Sequence, residues 1–290
     1  MNWYILALIS AVFATGMMIF RKKGLIQVHS TQFAATRSLV AAICGLAILP
    51  FIVRDYSWSE LGMIYIVALL STAGILFAAK AIKHMEISAY APLQNLVPAF
   101  LVLWAFIFIS EKLNKLHLLG VAMLIIGTYV LEMDGKFHHM WKPIHTMVKS
   151  KYFHYAIFAV IFFSFSALFD KIVLLNFSTP IKFLAVVWSF VAINMFIFHS
   201  AKYRGYKEII HTFKKTKQNV IFAGAFAFLA TYFYYLAASV AFIALVVPIK
   251  RLETLLITLI GGELFHDKHL LHKVIACAIM VLGAIIIILV

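Results

Sequence analysis

A chain of 290 residues that is 64% hydrophobic and 12% charged, with a mean hydropathy of +0.99, carries more apolar surface than one water-soluble core can bury. That excludes an ordinary soluble domain and points to the lipid bilayer as solvent. The formal charge of +14 gathers in short segments between apolar runs, which fits anionic lipid headgroups and sets nucleic acid aside.

Apolar runs long enough to cross a hydrocarbon core of about 30 Å predict an all-α, polytopic membrane protein with ten transmembrane helices. They lie near 3–20, 31–53, 61–80, 87–109, 116–133, 153–174, 181–200, 219–237, 241–265 and 271–290. No basic segment precedes the first run and no small-residue cleavage site follows it, so it reads as a retained helix and not a signal peptide. The second holds Arg37 about two turns from its start, where the side chain either snorkels to the interface or faces a cavity. Cys44 and Cys277 sit within apolar runs and behave as small hydrophobes. The fourth run carries Pro92, Gln94, Asn95 and Pro98. It closes on Glu111-Lys112, which is read, like Asp267-Lys268 after the ninth, as capping the helix that follows.

A basic loop at 134–152 follows the fifth run and divides the chain into units of 1–133 and 153–290. Asp170-Lys171 near the end of the sixth is either a local ion pair or a gate. Tyr232, Tyr234 and Tyr235 in the eighth either pack helices or touch a substrate, and Tyr235 is the candidate contact. His266, His269 and His272 drift around a helix and fall in an interfacial turn, so ordinary polar roles outweigh a metal site; no metal or other cofactor is expected.

The ninth run holds Lys250, Arg251 and Glu253 directly after Pro248. A charge near the bilayer centre costs about 2.5–3.5 kcal/mol even on the gentlest scale, so such residues usually face a polar pathway. On a helix Lys250 lies between the other two, with Arg251 about 100° to one side. Lys250 and Arg251 suit an anionic group, Lys as a point charge and Arg as a bidentate fork. Gln94 and Asn95, which answer them in the first half, suit a neutral polar part. Glu253 either neutralises the pair when the site is empty or accepts a proton, coupling movement to a proton gradient or a counter-substrate. The competing reading is a structural Lys250–Glu253 pair. Gly120, Gly127, Gly261, Gly262 and Gly283 permit close helix contact.

A gapless shift brings Pro92 onto Pro248, Glu111 onto Asp267, Lys112 onto Lys268 and Gly127 onto Gly283. It also lays Lys83-His84-Met85-Glu86 on Ser239-Val240-Ala241-Phe242, which puts the turn between the eighth and ninth helices there. Five helices per half is an odd number, so the halves enter the membrane from opposite sides as an inverted repeat. Loops after the odd-numbered helices hold most of the Lys and Arg, including Arg21-Lys22-Lys23, so both termini are expected outside a plasma or inner membrane.

On these residues the chain resembles the drug/metabolite transporter superfamily in its ten-helix, EamA-type form. The resemblance rests on the paired halves, the acid-Lys pairs, Gly127 and Gly283, Asp170-Lys171 before Ser178-Thr179-Pro180, and Ile249-Lys250-Arg251-Leu252. It implies a central cavity between the halves, open to one side at a time. Many relatives are held to keep both termini in the cytoplasm, opposite to the charge count here. The adjacent Lys250-Arg251 is also similar to a phosphate-gripping pair in the organophosphate and triose-phosphate translocators. Taken together, the expectation is a secondary active transporter of a small anionic or zwitterionic metabolite. The rivals are a membrane scaffold or sensor without transport and a membrane enzyme, for which no acid-base, nucleophile or phosphate-cradling motif is found.

Overall fold

The computed structural model describes residues 2–52, 55–84, 93–94, 96–132, 151–202, 205–257, 260 and 270–289, and among these all regular structure is helical. In chain order the segments are α1 (Trp3–Leu25), α2 (Ser30–Ile48), α3 (Trp58–His84), α4 (Leu96–Ile109) and α5 (Lys115–Glu132). They continue as α6 (Lys151–Asn176), α7 (Pro180–Lys202), α8 (Tyr206–Val240), α9 (Ile243–Lys250) and α10 (Leu270–Leu289). Among the described residues six helices, α1, α2, α3, α6, α7 and α8, are long and apolar enough to cross a membrane, and α4, α5 and α10 hold shorter apolar stretches. This is a multi-pass membrane protein.

Local chemistry sets several boundaries. His29 Nδ1 accepts from the Thr31 amide while Gln32 Oε1 accepts from the His29 amide, so the orphan donors that open α2 are satisfied reciprocally. Pro180 starts α7, where a missing N–H costs nothing. Asn114 Oδ1 accepts the His117 amide at 2.7 Å and caps α5. The cap expected of Glu111 is therefore supplied by another residue.

Two boundaries differ from the sequence reading. α8 begins at Tyr206 and not near 219, because the Lys-rich stretch after α7 is itself helical and joins α8 through a kink at Thr216 (φ −120°, ψ 21°). α9 stops at Lys250 instead of running to 265. Pro248 has no N–H to give, and the Arg251 amide is drawn toward the carbonyls of Val247 at 3.2 Å and Pro248 at 3.0 Å. A turn at Arg251–Leu252 follows, residues 253–257 are helical again, and 258–259 and 261–269 lie outside the described residues. The break between α8 and α9 falls at Ala241 and Phe242, both extended, where the internal repeat puts it.

The helices pack in a pattern that small and aromatic residues explain. α1 lies on α8, α3 on α6, α2 on α7 and α5 on α10. Phe13 of α1 stacks on Phe233 of α8 with centroids 5.6 Å apart, and Phe77 of α3 stacks on Phe162 of α6 at 5.5 Å. A Cβ on Gly120 would stand 2.8 Å from the Gly283 carbonyl oxygen, and one on Gly283 would stand 2.8 Å from the Gly120 oxygen. Only a residue without Cβ lets α5 and α10 meet backbone to backbone there. Gly261 and Gly262 lie outside the described residues.

Candidate functional site

The turn between α8 and α9 is held by two charged side chains from elsewhere in the chain. Lys171 Nζ on α6 donates to the carbonyls of Ala238 at 2.7 Å and Ala241 at 2.8 Å, at the C-terminal end of α8. Glu111 accepts from the amides of Ile243 at 2.9 Å and Ala244 at 3.2 Å, the first donors of α9. Each sign matches its helix end, cation at the carbonyls and anion at the amides. Ser110 takes a left-handed φ of 54°, which ends α4 and turns the chain into Glu111. Glu111 thus caps a helix 132 residues away and not the one after it.

Below this clamp lies a line of polar contacts. Asp170, beside Lys171, is buried at 7% exposure and accepts from the hydroxyls of Tyr235 (Oδ1, 3.2 Å) and Tyr234 (Oδ2, 3.2 Å). Lys250 Nζ sits 4.7 Å above the Tyr234 ring, a cation–π contact. Arg251 Nη1 is 3.8 Å from Glu253 Oε1, with both side chains mostly enclosed. So the ion pair within the trio belongs to Arg251 and Glu253, while Lys250 leans on an aromatic face. The Glu253 carbonyl also accepts from Thr15 of α1 at 3.3 Å.

Arg251 Nη2 reaches the Gln94 carbonyl at 3.5 Å, so a residue of the first half and one of the second meet at the point where α9 breaks. Beside them is a hollow of about 180 Å³ in all, too narrow to seat a water-sized sphere, lined by Pro98, Leu124, Ile125, Thr128, Pro248 and Arg251. It lies between α4, α5 and α9.

Of the residues singled out by sequence, Lys250, Arg251, Glu253 and Gln94 come together here, and Tyr235 joins them through Asp170. Its ring also stacks on Phe183, centroids 4.3 Å apart, so packing and polar contact coexist in one side chain. Asn95 lies outside the described residues, as do Asp267, Lys268, His266 and His269. Arg37 stands apart. Its Nη1 is 2.9 Å from Met17 Sδ and its guanidinium lies 5.6 Å from the Trp188 ring, so it is enclosed by α1 and α7 and does not snorkel. Sequence reasoning left Tyr234 aside, and it treated Asp170-Lys171 as a local pair or gate. The signal was present, since an acid and a base inside the apolar run of α6 are as costly in lipid as those of α9.

Comparison with known proteins adds three likenesses. Residues 1–133 match the profile of the EamA-like transporter family. A protein of Sinorhizobium sp described as an uncharacterized transporter in the cobO 3′ region is 29% identical over 139 residues, spanning 45% of this chain and 96% of its own. A crystal structure of a protein superposes with a TM-score of 0.78 at 16% identity, over 98% of this chain and 95% of that one, which bears on the fold alone. The resemblance to EamA-type transporters read from the sequence is shown by these likenesses, and the first two support a membrane transporter in general terms.

Proposed function

We propose that this chain, EamA-like over its first 133 residues, is a secondary active transporter that carries a small anionic or zwitterionic metabolite across a plasma or inner membrane. In this reading ten transmembrane helices form two inverted five-helix repeats, 1–133 and 153–290, joined by the basic loop 134–152, with both termini outside. Alternating access then arises as one half rocks against the other around a shared site.

The pairing of helices supports the repeat. Adding five to each label turns α1 on α8 into α6 on α3, and leaves α2 on α7 and α5 on α10 as pairs that map onto themselves. The stacks Phe13–Phe233 and Phe77–Phe162 exchange under the same rule. A relative aligned over 96% of its own length by 45% of this chain fits a half-chain unit.

The observation that carries the reading is Arg251 at the break of α9, facing the carbonyl of Gln94 and the hollow between the halves. A broken helix at membrane depth puts backbone groups and a guanidinium within reach of a substrate group, as discontinuous helices of transporters do. Lys250 and Arg251 hold the anionic group, Gln94 and Asn95 read a neutral polar part, and Glu253 holds Arg251 when the site is empty. Arg37, packed on Trp188 between α1 and α7, borders the same half-to-half interface and is a secondary contact. The hollow is too small for a metabolite, so the reading requires α9 to move from α4 and α5 on binding.

The second reading, a scaffold or sensor without transport, is favoured by the way these charges satisfy one another. One experiment separates them. Melting of the purified protein in detergent is followed against inorganic phosphate, a phosphorylated three-carbon acid and neutral amino acids. The transporter reading expects stabilisation by at least one anion or zwitterion that disappears in Lys250→Gln/Arg251→Gln. No stabilisation by any of them, or stabilisation unchanged in the double variant, contradicts it.

A further inference from the structure

Asp170 has no part in holding the substrate, yet it is wired to the residue that does. Its two oxygens take one hydroxyl each, from Tyr234 and Tyr235, and the ring face of Tyr234 carries the ammonium of Lys250. One side chain therefore touches both groups, its hydroxyl on the buried carboxylate and its ring face on the ammonium of the anion site.

The interior acids differ in what holds them. Glu253 has the Arg251 guanidinium at 3.8 Å. Glu111 has two backbone amides at the opening of α9. Lys171, next to Asp170 in sequence, spends its ammonium on the carbonyls of Ala238 and Ala241. Asp170 is left with hydroxyl donors, one of them from the tyrosine whose ring carries Lys250. Among the described residues, the other neighbours of α6 set uncharged groups against it or its partners: α3 sets Ser71 on Ser166, α4 sets Trp104 on Ser164, and α7 sets Phe183 on the ring of Tyr235. Lys80 of α3 lies over Tyr155, toward the opposite end of α6.

Charge counting then matters. Around the break of α9, Asp170, Glu253 and Glu111 against Lys171, Lys250 and Arg251 make three negative and three positive groups, a locally neutral set when all are ionised; Arg37 stands apart against Met17 and Trp188, and Glu60 apart with Lys182. A monoanion entering at Lys250 and Arg251 leaves one uncompensated negative charge in a region shielded from water, where such charges are costly. A proton restores neutrality, and Asp170, whose oxygens are held by hydroxyls instead of a guanidinium or backbone amides, is where it goes.

We propose that Asp170 is the proton-binding carboxylate of this carrier, taking up one proton for each monoanionic group held by Lys250 and Arg251. The inference rests on the anion-carrier reading above. A proton from water adds to Oδ1 of Asp170, and the Tyr235 hydroxyl that had donated to that oxygen turns away. No bond between heavier atoms forms or breaks, and release of the anion reverses the step. Asp170 lies six residues from the end of α6, about 9 Å along the helix, close enough to one face for protons to arrive while the site is open.

The test uses methanesulfonate, whose charge stays at −1 across the range studied, titrated against full-length protein in nanodiscs between pH 5 and 9. With one proton taken up per anion bound, the apparent Kd of the wild type rises about tenfold per pH unit on the alkaline limb. Asp170→Asn binds with no such dependence. Tyr235→Phe, which removes one donor and no charge, keeps proton uptake and moves its midpoint. Infrared difference spectra of the unliganded protein provide an arm that needs no ligand: a carboxylic-acid carbonyl band titrates in the wild type and in Glu253→Gln, and is missing in Asp170→Asn. A pH dependence that survives in Asp170→Asn, or an Asp170 ionised at every pH, overturns the proposal while leaving the anion site standing. Failure of methanesulfonate to bind wild type at any pH removes the anion site itself.

Discussion

Glu111→Ala should be among the most destabilising single substitutions in this protein, although Glu111 lies in a short loop and contacts no substrate-site side chain. The substitution strands the amides of Ile243 and Ala244, which belong to residues at 0% and 1% exposure and have no water to turn to. Each stranded buried donor costs about 1–3 kcal/mol, and the pair lost here is charge-assisted, so the expected loss is about 3–5 kcal/mol. It also removes the anion that faces the positive end of α9, an effect of up to about 1 kcal/mol within that range. Glu111→Gln keeps one acceptor oxygen and should lose about half as much. The assay is unfolding of purified protein in mixed micelles, read by helical ellipticity, with Lys112→Ala as the neighbouring control. If Glu111→Ala unfolds within about 0.5 kcal/mol of wild type while Lys112→Ala does the same, the amides of α9 have found other partners and the clamp has no energetic weight.

Other outcomes follow from the same contacts. Gly283→Ala should loosen α5 from α10 and cost about 1–3 kcal/mol, because its Cβ meets backbone at 2.8 Å, whereas Gly62→Ala, which meets nothing within 4 Å, should be neutral or slightly stabilising in the same unfolding assay. Lys182→Met should cost about 3 kcal/mol, since Lys182 is the cation 3.6 Å from Glu60, itself 3% exposed; a change below about 0.5 kcal/mol would mean that Glu60 has another partner. Arg251→Lys should fail to restore ligand-induced stabilisation that Arg251→Gln loses, because an ammonium cannot replace a planar fork toward both Glu253 and Gln94; full rescue by Lys would show that charge alone suffices.

How far the sequence carried the reading depends on whether a feature is local. The apolar runs of α1, α2, α3, α6 and α7 declare themselves, because bilayer thickness sets their length. The turn at Ala241–Phe242 was legible only through the repeat, as no charge marks it. The start of α8 at Tyr206 was not, since Lys207, Lys214, Lys215 and Lys217 lower the hydropathy without lowering helix propensity. The stop after Lys250 was half visible: Pro248 signals a bend, but a break depends on what Arg251 finds at Gln94, just before α4. Glu111 misled for the opposite reason. An acid at a helix boundary is a sound local cap, and only the tertiary fold reveals that the amides it takes belong to α9. The trio at 250–253 was singled out by its cost in lipid, while its internal pairing depends on Tyr234, a residue on another helix.

The central claim is that Arg251 borders a passage open to each side of the membrane in turn, and it can be tested without knowing the substrate. With Cys44 and Cys277 replaced by Ala, Arg251→Cys is exposed in sealed vesicles to a membrane-impermeant thiol reagent, applied first from one face and then from the other. The account predicts labelling from both faces. A thiol at 251 that reacts from neither face contradicts it.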